Sequence, residues 1–241
     1  MAVMSRDPTM LKLCEPGEDA HAFMGSRIRG FDYRMMCDHL HGEEWAGTDS
    51  RALAKQFRQL GKVANLSLQY RTSALTLRRV SRVSHGVQIS DTEARAIHAT
   101  YLSTYPGVKK YWKHQIRIAR EMGYIETVSG RRIQVGREYE WTDETVWGRE
   151  SAAINSPIQG SGAEQKYLAL AVLKDYLPRV DGRFYMELHD GIFIVVPQQH
   201  SDKAVVEIKE LLSNLPYQKA WGVNLPVQFP VDAKRGLSWG Q

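Results

Sequence analysis

The sequence has little cysteine, no long apolar run and no internal repeat. Only two of its 241 residues are cysteines, Cys14 and Cys37, too few for a disulfide scaffold, so a reducing, cytoplasmic compartment is expected. No apolar run approaches the roughly 18 residues of a membrane span, and the first residues lack the apolar core of a signal peptide. These absences argue against a disulfide-rich secreted protein and against a membrane partner.

The composition is that of a globular protein with a surplus of basic residues. Hydrophobic residues make up 43% and charged residues 24% of the chain, which is close to the globular average and argues against disorder. The chain has 32 Lys and Arg against 27 Asp and Glu, a formal net charge of +5, and a pI near 9.1. This balance permits a nucleic-acid partner without identifying one.

The first part of the chain shows helical patterns and the last part shows mixed ones. Residues 1–47 contain many Gly and Pro residues and are predicted to be irregular, ahead of a helix at about 50–70. Ser90 begins a helix that runs towards Tyr101, and a further helix covers about 106–122. The other predicted elements are a hairpin at 124–136, a polar loop at 137–148, helices at about 149–155 and 160–177, strands at 183–188 and 192–196, a helix at 201–213 and a strand at 225–231. This order indicates an α+β fold.

One face of the helix predicted at 50–70 is basic throughout. With about 100° of rotation per residue, Arg51, Lys55, Arg58 and Lys62 fall within about 60° of one another, opposite an apolar stripe. Like charges at this spacing repel unless an anion lies beside them. An ordinary solvated face and a phosphate-binding face both fit the pattern, and in the second case the cations bind successive phosphate groups.

Two short strands meet at Asp190-Gly191. Asp-Gly is a strong hairpin signal, because glycine adopts a positive φ at little cost. The segment fits a plain hairpin, and it also fits a hairpin whose tip presents a carboxylate to a hard cation such as Mg²⁺.

Five blocks of the sequence resemble, in family order, blocks of the family A DNA polymerases. They are Arg58–Ser73, similar to motif B, Tyr105–Val108, Gly123–Arg132, Ala152–Gly160, similar to the family's Asn/Gln block, and Leu188–Asp190, similar to motif C. The resemblance implies an incomplete right-hand polymerase fold. It comprises a helical fingers subdomain over 1–148 and, over 149–241, part of an antiparallel palm sheet with helices. The motif B helix lies at about 50–70 and the motif C turn at 189–191.

The resemblance implies a site for an incoming dNTP in the fingers subdomain. His21, Arg58 and Lys62 are expected to hold its triphosphate. Leu66 stands where the family usually has Phe or Tyr, near the sugar, and Tyr70 is expected beside the template base. His21 also fits an ordinary surface histidine of a loop, and Tyr70 also fits a core aromatic that closes the helix.

The resemblance also implies contacts with primer–template DNA and with metal ions. Asn155 and Gln159 are expected at the minor groove, and Arg71, which replaces a family glycine, adds charge to the DNA-binding surface. Asp190 is expected to ligate two Mg²⁺ ions, with His189 near the primer end. The implied activity is nucleotidyl transfer from a dNTP to the primer 3′-hydroxyl by a two-metal mechanism.

Family motif A, which supplies the other essential metal-binding Asp, has no counterpart in these 241 residues, and neither has the thumb. The segment Met1–Asp7 resembles the one just downstream of motif A. We therefore expect the C-terminal part of a polymerase that is inactive without an N-terminal polypeptide carrying motif A and the thumb. A split gene and a truncated polymerase both fit. Motif B favours a phage-type enzyme, hence the host cytoplasm, and the alternative function is a non-catalytic DNA-binding module of a replisome.

Overall fold

A computed structural model describes residues 1–238, which form two compact units. The first unit comprises Met1–Ile125 and Ile133–Ser156, and the second comprises Glu126–Arg132 and the chain from Pro157 onward. The helices are α1 (Ala2–Ser5), α2 (Pro8–Lys12), α3 (Ala20–Arg29), α4 (Tyr33–His41), α5 (Asp49–Leu68), α6 (Ala74–His85), α7 (Asp91–Thr104), α8 (Pro106–Met122), α9 (Val146–Tyr176), α10 (Ser201–Ser213) and α11 (Tyr217–Trp221), with short 3-10 turns at Glu43–Trp45, Glu138–Glu140, Leu177–Val180 and Gln198–His200. The strands are β1 (Tyr124–Glu126), β2 (Arg132–Gln134), β3 (Arg183–Leu188) and β4 (Gly191–Val195), which pair as two antiparallel sheets of two strands. The predicted α+β class is confirmed, and within residues 1–238 no helix is both long and apolar enough to cross a bilayer.

Three aspartates begin helices in the segment 1–47, so the prediction of irregular structure there was wrong. Asp7 and Asp19 each accept hydrogen bonds from the backbone N–H groups two and three residues further on, and Asp32 accepts one from the N–H three residues on, at 2.8–3.1 Å. Such caps satisfy donors that a helix start leaves free and stabilise a helix by about 1 kcal/mol each. Caps on α2, α3 and α4 thus outweigh the helix-breaking composition of this segment.

Helices α3 and α5 pack against each other through two glycines. A Cβ atom on Gly25 of α3 would overlap the carbonyl group of Phe57, and one on Gly61 of α5 would overlap the carbonyl oxygen of His21. The backbones therefore approach more closely than any side chain would allow. Helix α5 itself confirms the helix predicted at about 50–70, and the side chain of Thr48 caps its first turn.

One helix, α9, covers the region where two helices were predicted, at 149–155 and 160–177, so that prediction was wrong. Pro157 lies inside it, although a proline lacks the N–H of a helical hydrogen bond. The Ser161 hydroxyl donates to the Pro157 carbonyl oxygen at 2.5 Å, which gives that turn a side-chain bond. The two compact units divide directly before Pro157. The assignment of 1–148 to the fingers and 149–241 to the palm stays a prediction.

The second unit contains the β3–β4 hairpin and an apolar core between α9 and α10. Leu188 pairs with Gly191, so two residues form the turn. The described residues form no strand at 225–231, which corrects the predicted strand there. Instead, Val231 packs against the core and its N–H donates to the Ser213 hydroxyl at 3.2 Å, so this backbone group is satisfied without a partner strand. The largest buried members of the core are Leu173, Tyr176, Leu177, Ile208, Leu212 and Leu215.

In the first unit, a carboxylate near the start of α9 binds two arginines. Glu150 forms an ion pair with Arg71, which follows α5, and another with Arg120 of α8 at 2.9 Å. The Glu150 side chain is only 14% exposed. Burial on its own raises the pKa of Glu150, but the hydrogen bonds and charges of Arg71 and Arg120 outweigh burial and hold this pKa below its ordinary value. One carboxylate thus joins α8, the start of α9 and the turn that follows α5.

We predict that Glu150→Gln lowers the free energy of unfolding by about 1–2 kcal/mol at neutral pH, because two arginines lose their anion. Since the pKa of Glu150 is lower in the folded than in the unfolded chain, its contribution is present above the unfolded pKa and is lost as the pH falls through the folded pKa. Chemical denaturation at about pH 7 and about pH 3 measures the difference between variant and wild type, which should shrink at the lower pH.

The matched control for this prediction is Glu121→Gln. Glu121 pairs with Arg117 one turn away on the exposed face of α8, at 2.8 Å, with both side chains more than half exposed. Such pairs contribute at most about 0.5 kcal/mol. A loss in Glu150→Gln no larger than the loss in this control would contradict the prediction.

Candidate functional site

Three side chains predicted to bind a triphosphate lie together in the first unit. Arg58 and Lys62 are one turn apart on α5, and His21 lies in the first turn of α3, whose backbone contacts Gly61. Burial lowers the pKa of His21, and the positive charges of Arg58 and Lys62 lower it further, against the opposing charge of Asp19. His21 is therefore neutral at pH 7 beside two cations. Their role in binding stays a prediction.

Asp19 holds Arg58 in place, a role that the sequence reasoning missed. Its Oδ2 accepts from Arg58 Nε at 2.7 Å, while its Oδ1 caps α3 by accepting from the N–H groups of His21 and Ala22 at 2.9 Å. Burial raises the pKa of Asp19, but these hydrogen bonds and the Arg58 charge lower it more, so the carboxylate stays ionised. Within residues 1–238 the Nη groups of Arg58 have no recorded hydrogen bond and remain available to an anion.

The basic face of α5 does not act as one surface. Arg51 donates from Nε to the carbonyl oxygen of His39 at 3.2 Å and from Nη2 to that of Gly42. These carbonyls lie at the C-terminal end of α4, where a cation is favourable, so Arg51 has a structural role. Lys55 and Lys62, by contrast, form no ion pair with any residue that the structure describes. Both sequence interpretations of the face were therefore wrong for Arg51.

The C-terminal end of α5 places three predicted residues in different settings. Leu66 is 43% exposed on the helix. Tyr70 is half-buried, two residues beyond the helix end at Leu68. Arg71 has a left-handed φ of +62°, and its ion pair with Glu150 leaves the side chain 45% exposed. The side chain of Leu66 is thus accessible to a ligand, whereas that of Arg71 is partly occupied by its ion pair with Glu150. The predicted dNTP and DNA contacts of all three stay predictions.

Asn155 and Gln159, the residues predicted to meet primer–template DNA, both lie on α9. Asn155 is half-buried in the first unit, and its Oδ1 is buried without a hydrogen-bond partner among residues 1–238. Leaving such an oxygen unpaired costs about 1–3 kcal/mol, which a donor from a ligand would offset. Gln159 is exposed and belongs to the second unit. The DNA contacts of both stay predictions.

His189 and Asp190 form the turn between β3 and β4 in the second unit. The positive φ of +54° belongs to His189, not to Gly191, so the hairpin is confirmed but the glycine-based reason for it was wrong. Histidine is among the residues that tolerate this region best after glycine. Lys166 of α9 donates to the His189 carbonyl oxygen at 3.5 Å and pairs with Glu187 at 3.2 Å, which holds the turn. Asp190 is exposed at its tip.

The described residues supply only part of a Mg²⁺ site. Asp190 offers an exposed carboxylate, the type of ligand that Mg²⁺ prefers. Glu187, the nearest acidic residue along the chain, is paired with Lys166. Throughout residues 1–238, no three His, Cys, Asp or Glu side chains are grouped so as to hold a metal ion. Because a pair of Mg²⁺ ions needs bridging carboxylates, these residues do not complete such a site.

Comparisons with known proteins agree on one family. The profile described as DNA polymerase family A matches residues 1–241. DNA polymerase I of Deinococcus radiodurans is 26% identical over 99% of this chain and 22% of its own length, and that of Lactococcus lactis subsp. lactis is 27% identical over 99% and 24%. The solved POL domain of Pol1 from M. smegmatis, in complex with DNA primer-template and dNTP, matches with a TM-score of 0.72 and 25% identity over 94% of this chain and 35% of that chain.

The α+β architecture with two small antiparallel sheets matches a fragment of the fold of that POL domain. The chain belongs to DNA polymerase family A, since the family profile matches it from end to end. The family resemblance found in the sequence is thereby confirmed. The chain spans less than a quarter of the length of these two curated relatives.

We predict that Asp19→Asn lowers the free energy of unfolding by about 0.5–1.5 kcal/mol, because asparagine still caps α3 but loses the ion pair with Arg58. The pKa of His21 should fall further, since the Asp19 charge raises it. Denaturation curves and an NMR titration of His21 measure the two effects. The control is Asp32→Asn. Asp32 caps α4 but forms no ion pair among residues 1–238, so this substitution should leave the pKa of His21 unchanged. An unchanged His21 pKa in Asp19→Asn would contradict the electrostatic effect of Asp19 on His21.

Proposed function

We propose that the chain carries out DNA-templated DNA synthesis as the C-terminal part of a family A polymerase, with fingers over 1–148 and palm over 149–241. Family membership, relatives named DNA polymerase I and a solved neighbour bound to primer-template and dNTP support this. The observation that carries it is the clustering of His21, Arg58 and Lys62 around one edge of the α3–α5 pair. We further propose a phage-type enzyme that acts in the host cytoplasm.

The cluster is suited to the triphosphate of a dNTP. The two Nη groups of Arg58 form no hydrogen bond within residues 1–238, and Lys62 has an ammonium group without an ion pair there. Charge-assisted hydrogen bonds to phosphate oxygens are about twice as strong as neutral ones. Positive charge placed here also offsets the charge that develops on the leaving phosphates. His21 adds a neutral donor close to the two cations.

Leu66 and Tyr70 are proposed to lie beside the sugar and the template base. Leu66 is exposed, as a residue that contacts a ligand must be. It is smaller than the Phe or Tyr usual at this motif position and has no ring face, so we propose that discrimination between sugars differs here from the family pattern. Tyr70 is half-buried just beyond α5, which fixes its ring near the end of that helix.

Asn155, Gln159 and Arg71 are proposed to contact the primer–template. Minor-groove acceptors are nearly the same for every base pair, so amide donors such as Asn155 and Gln159 bind there without reading sequence. Arg71 contributes through the part of its side chain that the ion pair with Glu150 leaves exposed. Such a contact adds affinity that falls as salt concentration rises.

Asp190 is proposed to ligate Mg²⁺ in a two-metal reaction, with His189 near the primer end. The missing carboxylate comes from motif A on a polypeptide outside residues 1–241, which also carries the thumb. The proposal rests on the exposed carboxylate at a turn held by Lys166 and on the incomplete set of metal ligands in residues 1–238. The ions supply charge neutralisation at the reacting phosphate when they are bound.

A second candidate function is that of a non-catalytic DNA-binding module of a replisome. One observation favours it, namely that residues 1–238 contain no complete metal site. The two candidates differ over Asp190: a DNA-binding module would keep its function when this carboxylate is lost, whereas a polymerase would not.

We predict that Lys62→Ala weakens binding of Mg²⁺–dATP about 10- to 100-fold, because one charge-assisted hydrogen bond to phosphate is lost. Isothermal titration of the 241-residue chain with this nucleotide gives the Kd. The matched control is Lys55→Ala, which removes an exposed lysine from the same helix and should leave the Kd within about 2-fold. Equal effects of the two substitutions would rule out a specific triphosphate contact.

We predict that the 241-residue chain alone does not extend a DNA primer and that a polypeptide carrying motif A restores extension, because Asp190 then gains its partner carboxylate. In the restored assembly, Asp190→Asn should abolish extension while DNA binding, measured by fluorescence anisotropy, is kept. Native mass spectrometry of the purified protein identifies any bound polypeptide. Extension by the 241-residue chain alone would defeat this proposal, and extension by the Asp190→Asn assembly would show that Asp190 is not an essential metal ligand. DNA binding without any restored extension would favour the DNA-binding module.

A further inference from the structure

Asn65 connects α5 to the first turn of α3 beside His21. Its Nδ2 donates to the carbonyl oxygen of Ala20 at 2.8 Å and lies 3.3 Å from His21 Nδ1. Both contacts lie inside the close α3–α5 pair, where Gly61 brings the backbones together. Asn65 lies within the block that resembles motif B, and no role was predicted for it from the sequence.

The orientation of the Asn65 amide follows from the carbonyl that it meets. A backbone carbonyl oxygen only accepts hydrogen bonds, so the group facing Ala20 must be the NH₂ end of the amide. Flipping the amide would place two oxygens against each other and leave the NH₂ group in the position of Oδ1, which is buried and has no hydrogen-bond partner among residues 1–238. The contact with Ala20 therefore settles which amide atom faces His21.

That orientation determines the state of the imidazole. Since Asn65 Nδ2 is a donor, its contact with His21 Nδ1 favours a bare, accepting nitrogen there, which places the ring hydrogen of neutral His21 on Nε2. We propose that Asn65 is a positioning residue that fixes His21 as the Nε2–H tautomer, so that His21 offers an uncharged N–H donor to a phosphate oxygen. The last clause, on phosphate, rests on the proposed function.

The charges around His21 explain why an uncharged N–H donor is favourable at this position. Asp19 faces it from α3, and Arg58 and Lys62 face it from α5. A third positive charge would repel the two cations, and the lowered pKa of His21 reflects that cost together with burial. A neutral imidazole with its hydrogen directed away from Asn65 supplies a donor without adding charge. Without a partner at Nδ1, the two neutral tautomers would exchange.

The test is NMR of the 241-residue chain with ¹⁵N-labelled histidine, above the pKa of His21. The His21 signals are assigned by their loss in His21→Gln. We expect one nitrogen with the shift of a protonated Nε2 and one with the shift of a bare Nδ1, without the averaging of an exchanging ring. Averaged shifts, or hydrogen on Nδ1, would overturn the proposal even before any Asn65 variant is made.

Asn65→Asp provides the discriminating variant, because a carboxylate at this position accepts a hydrogen bond instead of donating one. The hydrogen of neutral His21 should then move to Nδ1, and the pKa of His21 should rise owing to the added negative charge. The control Gln56→Glu adds the same charge at an exposed position of α5 and should change neither the tautomer nor the pKa of His21. If the tautomer is unchanged in Asn65→Asp, Asn65 does not position His21.

Titration of the labelled chain with inorganic tripolyphosphate separates this inference from the proposed function. A shift of the Nε2–H signal on addition supports both. If the Nε2–H tautomer is found but tripolyphosphate leaves its signal unchanged, the role of Asn65 stands and the triphosphate role of His21 fails.

Discussion

The candidate site depends on the close approach of the α3 and α5 backbones in the first unit. Gly25 and Gly61 make it possible, because a side chain on either glycine would overlap a carbonyl group of the other helix. Only at this spacing does the first turn of α3 reach the middle of α5. A separation larger by one ångström would break the 2.7 Å bond between Asp19 and Arg58 and weaken the effect of the α5 cations on His21.

The aspartate that begins α3 also orients the guanidinium of Arg58. The position of this cation therefore depends on the formation of the α3 N-terminus. Asp19 uses one oxygen for the cap and the other for Arg58. The anion near the helix N-terminus is favoured by the helix dipole as well. Donors that are already held in position need no reorganisation when an anion arrives, and such preorganisation is a main source of electrostatic stabilisation in enzymes.

Elements set by local spacing could be predicted from the sequence, whereas contacts between distant residues could not. The apolar stripe of α5 was predictable because Leu60, Ala64 and Leu68 recur at helical spacing, and all three are buried. The β3–β4 hairpin was likewise predicted, although its turn consists of His189 and Asp190 and does not depend on Gly191. The bond of Asp19 to a residue 39 positions away has no local signal. For the same reason, Arg51 was placed on a basic face although it caps α4.

Arg71 shows how a side chain at a backbone position suited to glycine constrains the helix before it. Its left-handed φ of +62° costs about 1–2 kcal/mol for a residue with a Cβ, a cost that the glycine of the family motif does not have. The ion pair with Glu150 offsets part of this cost, and Glu150 is in turn held by Arg120. With glycine, the segment after α5 would pivot through backbone rotation alone. Here, any such movement in the first unit must also break a partly buried ion pair, so the end of α5 that carries Leu66 is coupled to α8 and to the start of α9.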